Sequence, residues 1–313
     1  MATVSVSSVS KRFGRVQAVD GVSFDVDPGE IFGLLGPNGA GKTTTIRMML
    51  DIFKPDSGSV AVFGGPWDDD KKRRLGYMPE ERGLYKDQTL DQVLPYFAAL
   101  KGLDEGEARR RLGPWLERFD LTEHRNKKVE QLSKGMQQKA QIIATLIHEP
   151  DLLVIDEPFS GLDPVNTRLV KEIIQEQADA GRTIVMSTHQ MHQVEALCNR
   201  ILLVNRGRQV LYGRVSEIKR GFAGNAVVVT AQGDLQGLPG VLEVRRQNGD
   251  WHLSLETGAD PQDVLLALAR REGVRIDRFE VAEPTLEDIF VAVVQEGTGE
   301  VVQLGREEEV EHA

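Results

Sequence analysis

The residues best equipped for chemistry cluster at Gly36-Pro37-Asn38-Gly39-Ala40-Gly41-Lys42-Thr43, which fits the pattern G-x-x-x-x-G-K-S/T at every position. Glycines let a backbone fold around an anion and aim successive N–H groups at it. A helix starting at Lys42 adds its positive dipole end at the same spot. In this pattern Lys42 holds the β- and γ-phosphates of a nucleoside triphosphate, and the Thr43 hydroxyl is a Mg²⁺ ligand. A second group of candidates closes the apolar run Leu152-Leu153-Val154-Ile155 with Asp156-Glu157. The carboxyl end of a buried parallel strand is where α/β sheets bind ligands. There Asp156 can reach the metal, directly or through water, and Glu157 can take a proton from the attacking water. His189 ends a further apolar run, Thr183-Ile184-Val185-Met186-Ser187-Thr188, where it is poised to touch a γ-phosphate.

The elements that must position these groups are legible in the patterning. Residues 3–35 alternate apolar and polar positions, which predicts antiparallel strands before the buried strand Ile31-Phe32-Gly33-Leu34-Leu35. Phe13 falls in a polar loop of that region, where an aromatic could stack on a purine. Asp68 to Arg74 reads as a charged, solvated segment. From Thr89 to Arg118 the period is helical, with Val93, Phe97 and Leu100 on one face. This predicts a helical subdomain, about residues 86–148, inserted into the nucleotide domain. Ser133 is placed to cap a helix running to about His148, and Asp163-Pro164 to start the next one. Ile201–Val204 and Arg208–Tyr212 read as a hairpin about Asn205-Arg206-Gly207, and residues 215–224 as a boundary. Beyond it, strands, a hairpin about Asn248-Gly249 and two helices predict a small α+β domain of ferredoxin-like character over 221–296.

Composition narrows the class. The 313 residues exceed one typical domain and are 40% hydrophobic, enough for a sizeable core. A net charge of −10 argues against nucleic acid as a partner. Six Glu against one Arg in residues 296–313 predict an acidic, solvated, disordered tail over 297–313. Cys198 is the only cysteine, so an intrachain disulfide is impossible and a reducing compartment fits. No signal peptide is expected at the amino end, and no apolar run reaches the roughly 18 residues of a membrane span. If the protein serves a membrane, a partner must provide the spans.

With these motifs in this order, the chain resembles the ATP-binding subunit of ATP-binding-cassette (ABC) transporters over about residues 3–220. The resemblance implies an α/β P-loop NTPase fold, residues 1–220, with an antiparallel β subdomain and a helical subdomain. It makes Phe13 the aromatic that stacks on adenine and Gly36 to Thr44, including Thr44, the Walker A loop. Leu132 to Met136 resembles the signature motif, whose Ser133 and Gly135 approach phosphate, and Leu152 to Asp156 the Walker B strand. Glu157 matches the catalytic carboxylate, Ser160-Gly161-Leu162-Asp163 the D-loop and His189 the switch histidine. Glu283 to Phe290, with the small domain before it, is similar to the C-terminal extension of bacterial drug- and sodium-exporter subunits.

Two stretches depart from the family pattern. Glu80 stands where a glutamine is usual, and a carboxylate there can ligate Mg²⁺ or position water. In the signature, Lys134 and Met136 stand where a second glycine and a glutamine are common, Lys134 either adding a cation near phosphate or facing solvent. The resemblance further implies ATP and Mg²⁺ as ligands, and a head-to-tail homodimer with ATP at its interface. It also implies a membrane-spanning partner and a place on the cytoplasmic face of the membrane. The rival is a soluble ATPase of the same superfamily acting in translation or DNA maintenance. Such translation factors duplicate the cassette, and this chain holds one set of motifs.

Overall fold

Alternating valines at the amino end form two long strands, β1 (Val4–Phe13) and β2 (Val16–Val26), which pair antiparallel with Val4 opposite Val26. The computed structural model describes residues 2–81, 83–222, 226–247, 249–256, 258–282, 284–295 and 302–303. After the five-residue apolar strand β3 (Ile31–Leu35) comes α1 (Lys42–Met49), then β4 (Ser57–Val62), which returns to pair with β1. The three antiparallel strands lie in the order β2-β1-β4.

The chain continues through α2 (Asp69–Arg73), β5 (Leu75–Met78), α3 (Leu90–Leu100) and α4 (Glu105–Arg118). Next come α5 (Lys134–Leu146), β6 (Leu152–Asp156), α6 (Pro164–Asp179) and β7 (Thr183–Thr188). A short α7 (Met191–Leu197) leads to β8 (Arg200–Asn205), β9 (Arg208–Arg214) and α8 (Val215–Phe222). β3, β6 and β7 are buried end to end and pair in parallel, as continuous apolar runs require. The order β9-β8-β3-β7-β6-β5 places the ends of β3, β7 and β6 side by side. Phe24 of the antiparallel sheet stacks on Phe32 of the parallel one, centroids 5.2 Å apart, inside a shared core. Burying rings of this size contributes about 2–3 kcal/mol each.

Contacts divide the chain into two compact units, the second spanning residues 216–298. The second holds β10 (Ala226–Gln232), β11 (Val241–Gln247), β12 (Asp250–Leu255), α9 (Pro261–Ala269), β13 (Arg275–Val281) and α10 (Leu286–Gln295). Its antiparallel sheet runs β11-β12-β10-β13. β10 and β11 both oppose β12, so residues 233–240 must carry the chain back along the sheet, burying Leu235 and Leu238 as they do. They take the place of the first helix of a ferredoxin-like unit. Val227, Leu253 and Leu268 are fully buried in a core of its own.

Several expectations need correction. Phe13 ends β1 rather than lying in a loop, because the two-residue turn Gly14-Arg15 pairs it with Val16. Asp68 to Arg74 is solvated but helical, since the Asp68 side chain accepts from Lys71 N–H at 2.8 Å and caps α2. On α3 the buried stripe is Leu90, Val93, Leu94 and Ala98, while Leu100, at the helix end, is exposed. α7, and α8 within the expected boundary, went unread, being too short for their periodicity to register. Within the acidic tail, Val302–Gln303 forms β14, parallel to Leu211 and Tyr212 of β9. It lies in the stretch Val301-Val302-Gln303-Leu304, where the tail's apolar residues are concentrated. Residues 297–301 and 304–313 lie outside the described residues, as do Asn248 and Glu283.

Candidate active site

Gly36 and Gly41 of the motif each meet a steric demand. Gly36 and Gly41 have φ of 147° and 107°, and an added Cβ would lie 2.1 Å from the Val204 carbonyl oxygen or 2.4 Å from that of Ala18. Only glycine lets the loop press against β8 on one side and β2 on the other. Beyond it lies a cleft of about 390 Å³, lined by Asn38 to Thr44, Glu80, Asp156 and Glu157. Lys42 is 7% exposed, and its Nζ donates to Gly36 O at 2.7 Å and Pro37 O at 3.3 Å. Burial lowers its pKa, against the pull of Glu157, Asp156 and Glu80. These loop carbonyls hold the ammonium at the cleft.

Both carboxylates stand at the end of β6, beside the end of β7. Thr43 Oγ1 donates to Asp156 Oδ2 at 3.1 Å, and Ser187 Oγ donates to Asp156 Oδ1. Burial pushes the Asp156 carboxyl above the usual range, partly offset by these two hydroxyls. Glu157 is 5% exposed and adopts φ of 52°, a left-handed conformation rare outside glycine. Its Oε2 accepts from Thr188 Oγ1 at 3.0 Å. Its Oε1 accepts from His189 N–H at 3.0 Å and lies 2.7 Å from His189 Nδ1. An ionised carboxylate only accepts, so Nδ1 carries the ring proton and Nε2 is left with a lone pair or a second proton for a ligand.

The remaining candidates lie apart from the cleft lining. Ser133 is exposed and caps α5, its Oγ accepting from Met136 N–H at 3.2 Å. Gly135 is packed where an added Cβ would lie 3.4 Å from Gly161 O. Asp163 caps α6, accepting from Asn166 N–H at 2.9 Å, which lowers its pKa. Phe13 packs edge-on against Phe53, centroids 5.4 Å apart, and is 43% exposed. Val16, Gln17, Ala18 and Arg206 line the cleft although sequence reasoning missed them. The available signal for Arg206 was its hairpin turn, fastened to the loop by Gly207 N–H donating to Ala40 O at 2.9 Å.

Among the described residues, no cluster of three or more His, Cys, Asp or Glu could hold a metal by itself. Thr43 and Asp156 nevertheless offer adjacent oxygens beside the phosphate cradle, the donor set of a hard cation shared with phosphates. The residues therefore fit a Mg²⁺ bound together with its nucleotide. No helix of the described residues is long and apolar enough to cross a membrane.

Fold and site together define a phosphate-loop ATPase. Residues 19–160 match the ABC transporter family, and residues 213–294 match the C-terminal domain of DrrA1-3-like ATP-binding proteins. The chain is 42% identical over 294 residues, 93% of its length, to an uncharacterized ABC transporter ATP-binding protein, YhaQ, of Bacillus subtilis, and covers 98% of that protein. It is 32% identical over 301 residues to the linearmycin resistance ATP-binding protein LnrL of the same organism, covering 92% of this chain and 97% of LnrL. A solved ATP-binding subunit of an ABC transporter superposes with a TM-score of 0.66 at 34% identity, over 70% of this chain and 93% of that one. The protein belongs to the ATP-binding subunits of ABC transporters, a family that hydrolyses ATP. The transport reading stands over the translation or DNA-maintenance alternative.

Proposed function

We propose that this subunit hydrolyses ATP to power export by a separate membrane-spanning partner. Two relatives support the direction: LnrL, named for linearmycin resistance, and a Nod factor export ATP-binding protein I of Burkholderia thailandensis. The latter is 40% identical over 216 residues, 68% of this chain and 71% of that protein. The subunit works on the cytoplasmic face of the membrane as a head-to-tail homodimer. Ser133 and Gly135 of one copy then meet the nucleotide held by the phosphate loop of the other. The second unit has its own core and, among its described residues, no chemical group aligned for catalysis, and its role is to pair or regulate subunits.

The geometry supports the following roles. Lys42 and the loop N–H groups hold the β- and γ-phosphates, Thr44 adds its N–H to the cradle, and Phe13 offers its exposed ring to adenine. Thr43, Asp156 and Glu80 hold Mg²⁺, which when bound neutralises charge developing on the phosphates. Glu157 orients the attacking water and accepts its proton. His189 keeps Glu157 in place through Nδ1 and turns Nε2 toward the γ-phosphate. The observation that carries this reading is Glu157, buried beside the cleft and fixed by three donors from Thr188 and His189. Glu157→Gln keeps the shape and removes the base, so turnover should fall by about 10²–10⁴-fold while ATP binding persists. Parent-like turnover in that variant would remove Glu157 from the chemistry.

A further inference from the structure

Helix α5 carries three glutamines whose amides donate to backbone carbonyls of three different segments. Gln137 Nε2 donates to Val129 O at 3.1 Å and Leu132 O at 3.0 Å, just ahead of the helix. Gln138 Nε2 donates to Pro158 O at 3.2 Å and reaches Glu157 O at 3.5 Å. Gln141 Nε2 donates to Pro79 O at 2.8 Å and Glu81 O at 3.3 Å. The last pair brackets Glu80, an exposed residue that lines the nucleotide cleft beyond the end of β5.

An amide group has two N–H hydrogens, so Gln141 can hold both carbonyls at once. The side chain is buried, 4% exposed, and its Oε1 has no partner among the described residues. Turning the amide over would set Oε1 against two carbonyl oxygens and lose both bonds. The orientation is therefore dictated by the loop, at the cost of an unsatisfied acceptor. A residue that only filled space here would be apolar.

We propose that Gln141 is a positioning residue for Glu80: by fixing the carbonyls on either side, it sets the carboxylate at the metal edge of the cleft. This rests on the reading that Glu80 helps hold Mg²⁺. Gln138 holds the Pro158 and Glu157 carbonyls from the same helix, so Glu80 and Glu157 share one rigid reference. That reference begins at Ser133, which caps it.

The test uses the full chain with Gln141→Met, which keeps the length of the side chain and removes the donor. Gln141→Ala, a strong helix former, serves should the Met variant fail to fold. Both are also made together with Glu80→Ala. Mn²⁺, seen by electron paramagnetic resonance, is titrated as a probe of the metal site with a non-hydrolysable ATP analogue, and kcat and KM for ATP are measured in parallel. Loss of these hydrogen bonds should raise the Mn²⁺ Kd and lower kcat by about tenfold each, with KM changed by less than about twofold. With Glu80→Ala present, the Gln141 substitution should add nothing to either readout. If Glu80→Ala leaves Mn²⁺ binding unchanged, the metal role of Glu80 fails and the positioning role falls with it. If Glu80→Ala weakens Mn²⁺ but Gln141→Met is silent, or acts equally in both backgrounds, only the positioning role is overturned.

Discussion

His148 should make the first unit lose stability in acid by an amount that can be worked out beforehand. It follows α5, is 8% exposed, and has Nε2 3.0 Å from the Leu75 carbonyl at the start of β5. A carbonyl only accepts, so Nε2 carries the proton, and Nδ1 is buried without a partner among the described residues. Burial lowers the His148 pKa to about 4 from 6.5, with Lys101, Arg182 and Arg111 adding repulsion against the opposing pull of Leu75 O. The unfolded chain therefore takes up this proton first as pH falls. The stabilisation is complete above pH 6.5 and is lost progressively as pH falls toward 4. At about 1.36 kcal/mol per pH unit, the whole effect is about 3 kcal/mol. His148→Gln keeps a donor for Leu75 and cannot titrate. Equilibrium urea unfolding would be followed in a Trp251→Phe background, so that Trp67 and Trp115 report on the first unit. Between pH 7 and 4.5 the parent should lose about 2 kcal/mol more than the variant. Losses equal within about 0.5 kcal/mol would refute the assignment of a neutral, buried His148.

Other substitutions probe the cradle, the metal side and the second unit. Gly36→Ala places a methyl against the Val204 carbonyl in a backbone conformation hostile to it, and should cost about 3 kcal/mol of stability along with ATP binding. A fluorescent ATP analogue bound as tightly as by the parent would count against this. Burial raises the Asp156 pKa, so the stability linked to its proton is present at low pH and lost as pH rises through the raised value. Asp156→Asn should therefore raise the melting temperature without nucleotide by roughly 2–4 °C and abolish further stabilisation by Mg²⁺ and ATP. A parent-like shift on adding Mg²⁺ and ATP would show that Asp156 has no part in the metal site. A chain ending at Arg220 should still bind ATP but dimerise more weakly and lose normal control of turnover. Unchanged sedimentation and ATPase rates, with and without the membrane partner, would deny the second unit that role.

What the sequence disclosed, and what it withheld, divide along physical lines. Buried parallel strands are continuous apolar runs, so β3, β6 and β7 were legible together with the groups at their carboxyl ends. The phosphate loop was legible because Gly36 and Gly41 are required sterically rather than by preference. Contacts made by distant segments left no pattern. Nothing local to Val16, Gln17 or Arg206 says that the β1–β2 and β8–β9 turns converge on the same cleft. Phe13 was misplaced for a related reason, since a two-residue hairpin turn holds an aromatic within a ladder where polar neighbours suggest a loop. Gln141 looked like an unremarkable helix residue, and its task is defined only by where Pro79 and Glu81 fold.

Asp156 and Glu157 are adjacent in sequence, and the fold must still give them separate tasks. A strand alternates its side chains between two faces, which begins the separation. The left-handed turn at Glu157 completes it by taking that residue out of strand geometry while its N–H still donates to Ser187 O at 2.9 Å. Asp156 then faces Thr43 and the phosphate cradle, and Glu157 is held by Thr188 and His189 on β7 and just beyond it. Two neighbouring carboxylates directed at one point with no cation between them would repel each other. Directed apart, one can share a cation with the phosphates while the other keeps its charge for the water. On the proposed reading, the left-handed backbone at Glu157 is the physical device that lets neighbouring residues serve as a metal ligand and a base.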